Sequence, residues 1–95
     1  MTNKGSENQR QKAVALKHDI ASETAPKVVA KGRGLVAQKI IDLAQKNNIP
    51  VHEDPDLVDI LSAIELNEEI PPELYRVVAE VLAMIYRVNK GMKTN

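Results

Sequence analysis

The chain has 95 residues, 13 of them basic and 13 acidic, with no cysteine and a formal net charge of zero. This length supports one domain that buries roughly 65% of its unfolded surface. Balanced charge argues against a nucleic-acid or general polyanion binder, and the missing thiols exclude a disulfide framework or a thiolate site.

The start, MTNKGSENQRQK, has no apolar residue after Met1, so residues 1–12 are expected to be a disordered tail. It has no secretory core. No run approaches the roughly 20 apolar residues that span a bilayer, so a cytoplasmic protein without membrane insertion is expected. Residues 13–17 read as a short strand, with Val14 and Leu16 on one face and the small Ala13 and Ala15 on the other. A polar connection follows over 20–25. Pro26 forces Ala25 toward extended geometry and opens a second strand over 27–31, with Val28, Val29 and Ala30 at its centre. Gly32 and Gly34 permit a tight turn into a helix. Val36, Ile40, Leu43 and Ala44 recur at helical spacing until Asn47-Asn48. Ile49-Pro50-Val51-His52 reads as a return strand, which makes residues 27–52 a βαβ unit with a parallel pair.

Asp54 is suited to an N-cap, and Pro55 to the first helical position, where its missing N–H leaves nothing unpaired. Leu57, Leu61 and Ile64 then stack on one helical face beside Ile60. Residues 65–70 form a polar connection. Pro71-Pro72-Glu73 opens a last helix with the stripe Leu74, Val78, Val81, Leu82 and Ile85, widened by Tyr75, Val77 and Ala79. Lys90-Gly91 is expected to end it. The domain therefore covers 13–90, with 91–95 as a frayed tail.

Four groups of residues invite a chemical reading. Gly32-Arg33-Gly34 lies between a strand and a helix, where phosphate loops occur. It has Ala37 in place of a third glycine and lacks the Gly-Lys-Ser/Thr of a nucleotide loop, so a plain tight turn is preferred. His18 and His52 have no spacing that gathers them with Asp19, Glu53 or Asp54 around a metal, and no cofactor is expected. Ser6, Ser22 and Ser62 have neither a nucleophile elbow nor a base. Glu65, Glu68, Glu69 and Glu73 read as a solvated acidic surface rather than an acid–base pair.

Several blocks together carry a resemblance. They are AVALKHD (13–19), APKVVAKGRGLVAQKI (25–40), NNIPVHEDPDL (47–57) and EIPPELYRVVAEVLAMIY (69–86). In this order and spacing the chain resembles, over 8–88, the cytoplasmic C-terminal domain of the FlhB/YscU family, the switch proteins of flagellar and virulence type III export. The resemblance implies an α/β fold with a small central mixed sheet of about four strands flanked by helices. The fourth strand falls at 20–26 or 65–70. Family members carry membrane helices before this domain; here a stand-alone domain without that part is expected.

The family cleaves its own chain between the Asn and Pro of an N-P-T-H motif. Asn8, Gln9, Arg10 and Gln11 stand at those positions. In the family the Asn side-chain amide attacks its own carbonyl, and the following Pro has no N–H for the competing ring closure. Gln9 has that N–H, which favours slow deamidation, so no autocleavage and no enzyme activity are expected. The resemblance also implies an apolar substrate-binding patch at Ala25, Pro26, Ala79 and Leu82. Its partners would be rod- and hook-class export substrates, the cytoplasmic domains of the export gate, or a full-length paralogue. The alternatives are a structural partner of the membrane-anchored export apparatus with no role in substrate choice, and a nucleotide enzyme built on the Gly32–Gly34 turn. On the bland reading Ala79 and Leu82 are ordinary helix core and Pro26 only begins a strand.

Overall fold

The structure is a computed structural model that describes residues 11–18 and 24–94, with 88–94 described as backbone. Strand β1 (Lys12–Lys17) pairs with β2 (Lys27–Arg33). Helices α1 (Leu35–Lys46) and α2 (Pro55–Leu61) follow, then a 3₁₀ turn (Pro72–Leu74) that runs into α3 (Tyr75–Thr94). Of the expected tail, Lys12 belongs to β1 and residues 1–10 lie outside the described residues.

β1 and β2 are antiparallel, with Ala13 opposite Gly32, Val14 opposite Lys31 and Leu16 opposite Val28. The register slips between Ala15 and Leu16, which leaves Val29 as an extra residue on β2. The two faces separate as the alternation predicts. Val14 and Leu16 pack on the main core of Leu57, Leu61, Ile70 and Val78. Ala13 faces the other way, toward α1, whose buried residue is Ala37. Small side chains on that side let helix and sheet approach closely. Gly32 is part of this contact, since a Cβ there would stand 2.3 Å from Val36 Cγ1.

The outer edge of β2 is taken by the segment after α2. Asn67 donates to the Val28 carbonyl, Val28 to Glu68 and Ile70 to Pro26, with a bridge between Lys27 and Glu69. This corrects the expected βαβ unit and four-stranded sheet. Among the described residues the sheet has two strands and one antiparallel bridge, and no parallel pair. The segment 67–70 holds the outer edge of β2 only at its start, around Pro26 to Val28, and residues 49–52 pair with neither strand among the described residues. They form neither helix nor strand and follow a turn in which Ile49 donates to Ala44 and Asn48 to Gln45, with Asn48 at φ 58°. Pro50 also has no N–H to give to a ladder. Of the two expected locations for a further strand, 65–70 supplies the bridging backbone.

Helix ends follow local chemistry. Gly34 caps α1 at φ 62°, ψ −128°, a conformation suited to glycine, and its N–H donates to the Gln11 carbonyl at 2.8 Å. Asp54 Oδ1 accepts from Leu57 N–H at 3.1 Å at the start of α2, with Pro55 in the first turn. At the far end of α2, Lys31 Nζ reaches over from β2 and donates to the carbonyls of Ser62 (3.1 Å) and Ile64 (2.7 Å). A cation there satisfies carbonyls that the helix leaves free and complements its dipole. Lys12 of β1 pairs with Asp59 of α2 at 2.8 Å on the surface. Helix α3 continues through Gly91 to Thr94, past its expected end. A glycine in a helix costs about 1 kcal/mol but does not by itself stop one.

Candidate functional site

An apolar groove opens beside the start of β2. One wall is the extended segment Thr24-Ala25-Pro26 with His18; the other is α3 through Tyr75, Ala79 and Leu82; Ile70 and Val78 form the floor. Its volume is about 380 Å³. Local chemistry explains each wall. Pro26 fixes an extended approach to β2, and its carbonyl accepts from Ile70 N–H at 2.9 Å, which ties the first wall to the floor. Pro71 and Pro72 open the 3₁₀ turn into α3, on which Val78 (2% exposed) faces the core and the next residue, Ala79, is exposed.

All four residues of the expected patch line this one groove. Pro26 is buried, Ala25 and Leu82 are half-buried, and Ala79 is exposed. The core reading is therefore wrong for Ala79, while Leu82 both borders the groove and packs against the core. Sequence reasoning did not assign His18, Thr24 or Tyr75 to the same site. Tyr75 had a signal available, since it lies one helical turn before Ala79. Nothing comparable in the sequence brings His18 and Thr24 there; the path of the chain does.

The other candidates lie elsewhere. His52 lines no groove with His18, and among the described residues no three His, Cys, Asp or Glu side chains are placed to hold a metal. The Gly34 N–H that a phosphate loop would use is committed to Gln11. Ser62 Oγ donates to the Asp59 carbonyl at 2.9 Å, a local turn contact. Ser6 and Ser22 lie outside the described residues. Glu65, Glu68, Glu69 and Glu73 are exposed. Of the four residues set against the N-P-T-H motif, Asn8, Gln9 and Arg10 also lie outside the described residues. Gln11 is described: its backbone carbonyl holds Gly34, and its Oε1 is buried with no hydrogen-bond partner among the described residues.

Among the described residues this architecture is a small α/β domain with one short two-stranded sheet and an apolar groove beside the start of β2. Residues 7–85 match the model of the FlhB HrpN YscU SpaS family, and the chain belongs to that family. It is 45% identical over 74 residues to flagellar biosynthetic protein FlhB of Aquifex aeolicus, which covers 77% of this chain and 21% of that protein. It is 40% identical over 82 residues to the uncharacterized protein YlqH of Bacillus subtilis, covering 86% of this chain and 88% of that one. The cytoplasmic domain of FlhB from Shewanella putrefaciens has a similar structure, with a TM-score of 0.81 at 31% identity, covering 99% of this chain and 84% of that chain. The chain thus spans about a fifth of the length of the FlhB protein it matches, and most of YlqH. Among the described residues no helix is long and apolar enough to cross a membrane.

Proposed function

We propose that this domain acts in flagellar or type III protein export as a non-catalytic module that binds export substrates, or the cytoplasmic face of the export gate, through the groove. One observation carries the reading: Ala25, Pro26, Ala79 and Leu82, from two distant parts of the sequence, meet around one apolar groove of about 380 Å³. The groove has the size and lining of a site for a few apolar side chains of a peptide. Such binding works from the cytoplasm and needs no anchor in this chain.

Titration of the ¹⁵N-labelled chain with a purified rod- or hook-class flagellar protein from the same organism tests the reading. Amide shifts are expected to cluster at Ala25, Ala79, Leu82 and the neighbours of Pro26. Ala79→Asp places a charge at an exposed position of the groove, so it is expected to keep the fold and lose the shifts. Binding that is indifferent to Ala79→Asp would transfer the bet to a structural partner of the membrane-anchored apparatus.

The absence of catalysis rests on Gln9, Arg10 and Gln11 at the motif positions. On prolonged incubation at neutral pH, intact-mass spectrometry is expected to find one chain, with slow deamidation at Asn8 as the only change there. A break after Asn8 would restore self-cleavage to the protein.

A further inference from the structure

Strand β1 is bonded to β2 on one edge, and the ladder shows what it presents on the other. In an antiparallel pair, opposite residues alternate between those that exchange hydrogen bonds and those whose N–H and C=O point away from the partner strand. Gly34 N–H donates to the Gln11 carbonyl, so Gln11 stands at a bonded position, and so do Ala13 opposite Gly32 and Ala15 opposite Ala30. Lys12 and Val14 alternate with them and turn their backbone groups outward. Past the slip in register, Leu16 lies opposite Val28, whose N–H and C=O are both engaged by Glu68 and Asn67. Leu16 therefore also turns its groups to the open edge. Among the described residues the outward groups of Lys12, Val14 and Leu16 have no backbone partner.

This edge is complementary to itself. When two copies of β1 run antiparallel with Val14 opposite Val14, Lys12 of each copy falls opposite Leu16 of the other. The outward N–H and C=O groups of all three residues then pair, as six hydrogen bonds about a two-fold axis. A shift of two residues sets one of the three against a residue outside β1. A shift of one sets outward groups against inward ones.

Side chains agree with this register. On the face toward the main core Val14 meets Val14, and Leu16 meets the methylene stem of Lys12, whose Nζ is held by Asp59 at 2.8 Å. On the other face Ala13 meets Ala15, and Lys17 stands opposite Gln11, so no like charges oppose one another. Val14, Ala15 and Leu16 are half-buried, which leaves apolar surface for a neighbouring strand to cover. Any strand offers a backbone; this sequence also supplies the matching side chains to itself.

We propose that β1 pairs with β1 of a second copy about Val14, which joins two short sheets into one antiparallel sheet of four strands in the order β2-β1-β1-β2. None of Lys12, Val14 and Leu16 lines the groove, so this surface is separate from the peptide site proposed above, and the two readings stand or fall independently.

Sedimentation equilibrium of the full chain from about 10 µM to about 1 mM tests the proposal, since an interface this small gives a dissociation constant on the order of 100 µM. The mass is expected to rise from 10.5 kDa toward twice that value. Amide exchange followed by NMR reads the register. With rising concentration, protection is expected to grow at Lys12, Val14 and Leu16, while Ala13 and Ala15, already bonded to β2, keep theirs. Lys12→Pro removes an N–H that a single copy leaves unused, at the first residue of an edge strand, where proline is tolerated. It is expected to weaken association about ten-fold, for two hydrogen bonds lost per dimer, with little change in the melting temperature at low concentration. Lys12→Gln loses the Asp59 pair but keeps the N–H, and is expected to dimerise still. A mass of 10.5 kDa at the highest concentration overturns the proposal. So does a dimer whose protection does not alternate along β1, or one that Lys12→Pro leaves intact. Protection at Lys12, Val14 and Leu16 that is independent of concentration would show that the same chain fills its own edge, which also overturns it.

Discussion

Ile70→Ala is expected to destabilise the domain by about 3 kcal/mol, the middle of the range for deleting a buried isoleucine side chain. Ile70 is 2% exposed and packs in the cluster with Leu57, Leu61 and Val78. Its backbone is also pinned, because its N–H donates to the Pro26 carbonyl at 2.9 Å. A pinned backbone limits how far the surroundings can collapse into the cavity, which raises the cost. A domain of this size has roughly 5–10 kcal/mol of total stability, so the loss is a large fraction of it. Urea unfolding followed by circular dichroism would measure it, with Ile70→Val as a control at about 1 kcal/mol. A loss under 1 kcal/mol for the alanine variant would show that Ile70 does not hold the core together. The same substitution removes the floor of the groove, so peptide binding is expected to weaken even where the variant remains folded.

Gly32→Ala is expected to cost about 2 kcal/mol, through overpacking rather than through backbone conformation. The new Cβ would stand 2.3 Å from Val36 Cγ1 and 2.9 Å from Val36 Cβ. Valine has one strongly preferred rotamer in a helix, so the side chain has little freedom to turn away. Relief requires α1 to shift off the sheet, which would open the contact around Ala13 and Ala37. Gly34→Ala provides the contrast. Its cost, on the order of 1–3 kcal/mol, comes from φ 62° at that residue. Val36→Ala should therefore recover part of the loss at Gly32 and none of the loss at Gly34, and a double-mutant cycle separates the two. Equal recovery at both positions would contradict the assignment.

Local chemistry was legible where a side chain decides the structure. The Val14 and Leu16 face of β1, the Asp54-Pro55 start of α2 and the extended approach at Pro26 could be read because alternation, capping and a fixed φ act within a few residues. The return strand at 49–52 was misread for a reason that is not local. Ile49 and Val51 suit a strand, but a strand needs a partner, and the backbone that bridges to the start of β2 comes from residues 67–70 instead. That segment looked like a polar loop because its contribution is backbone: Asn67, Glu68 and Glu69 are exposed, and Ile70 alone among 65–70 is buried. The end of α3 was placed too early because Gly91 was taken as a stop. At the site, the four patch positions came from the resemblance and not from pattern. An exposed alanine such as Ala79 leaves no trace in a hydrophobic periodicity, and His18 reaches the groove only through the tertiary path of the chain.

The bridge between Lys27 and Glu69 has a consequence for the order in which the molecule assembles. β1, β2 and α1 are neighbours in sequence and can meet by closing short loops. The 67–70 segment must return to β2 across about 40 residues, a contact of higher loop-closure entropy. The groove has one wall on each side of that seam: Ala25 and Pro26 belong to the early unit, Ile70 and α3 to the late one. A local opening that releases the seam would therefore erase the groove while β1, β2 and α1 remain folded. Any ligand held across both walls acts as a clasp on the seam, and it is expected to slow amide exchange at Val28, Asn67 and Ile70 by the factor 1 + [L]/Kd.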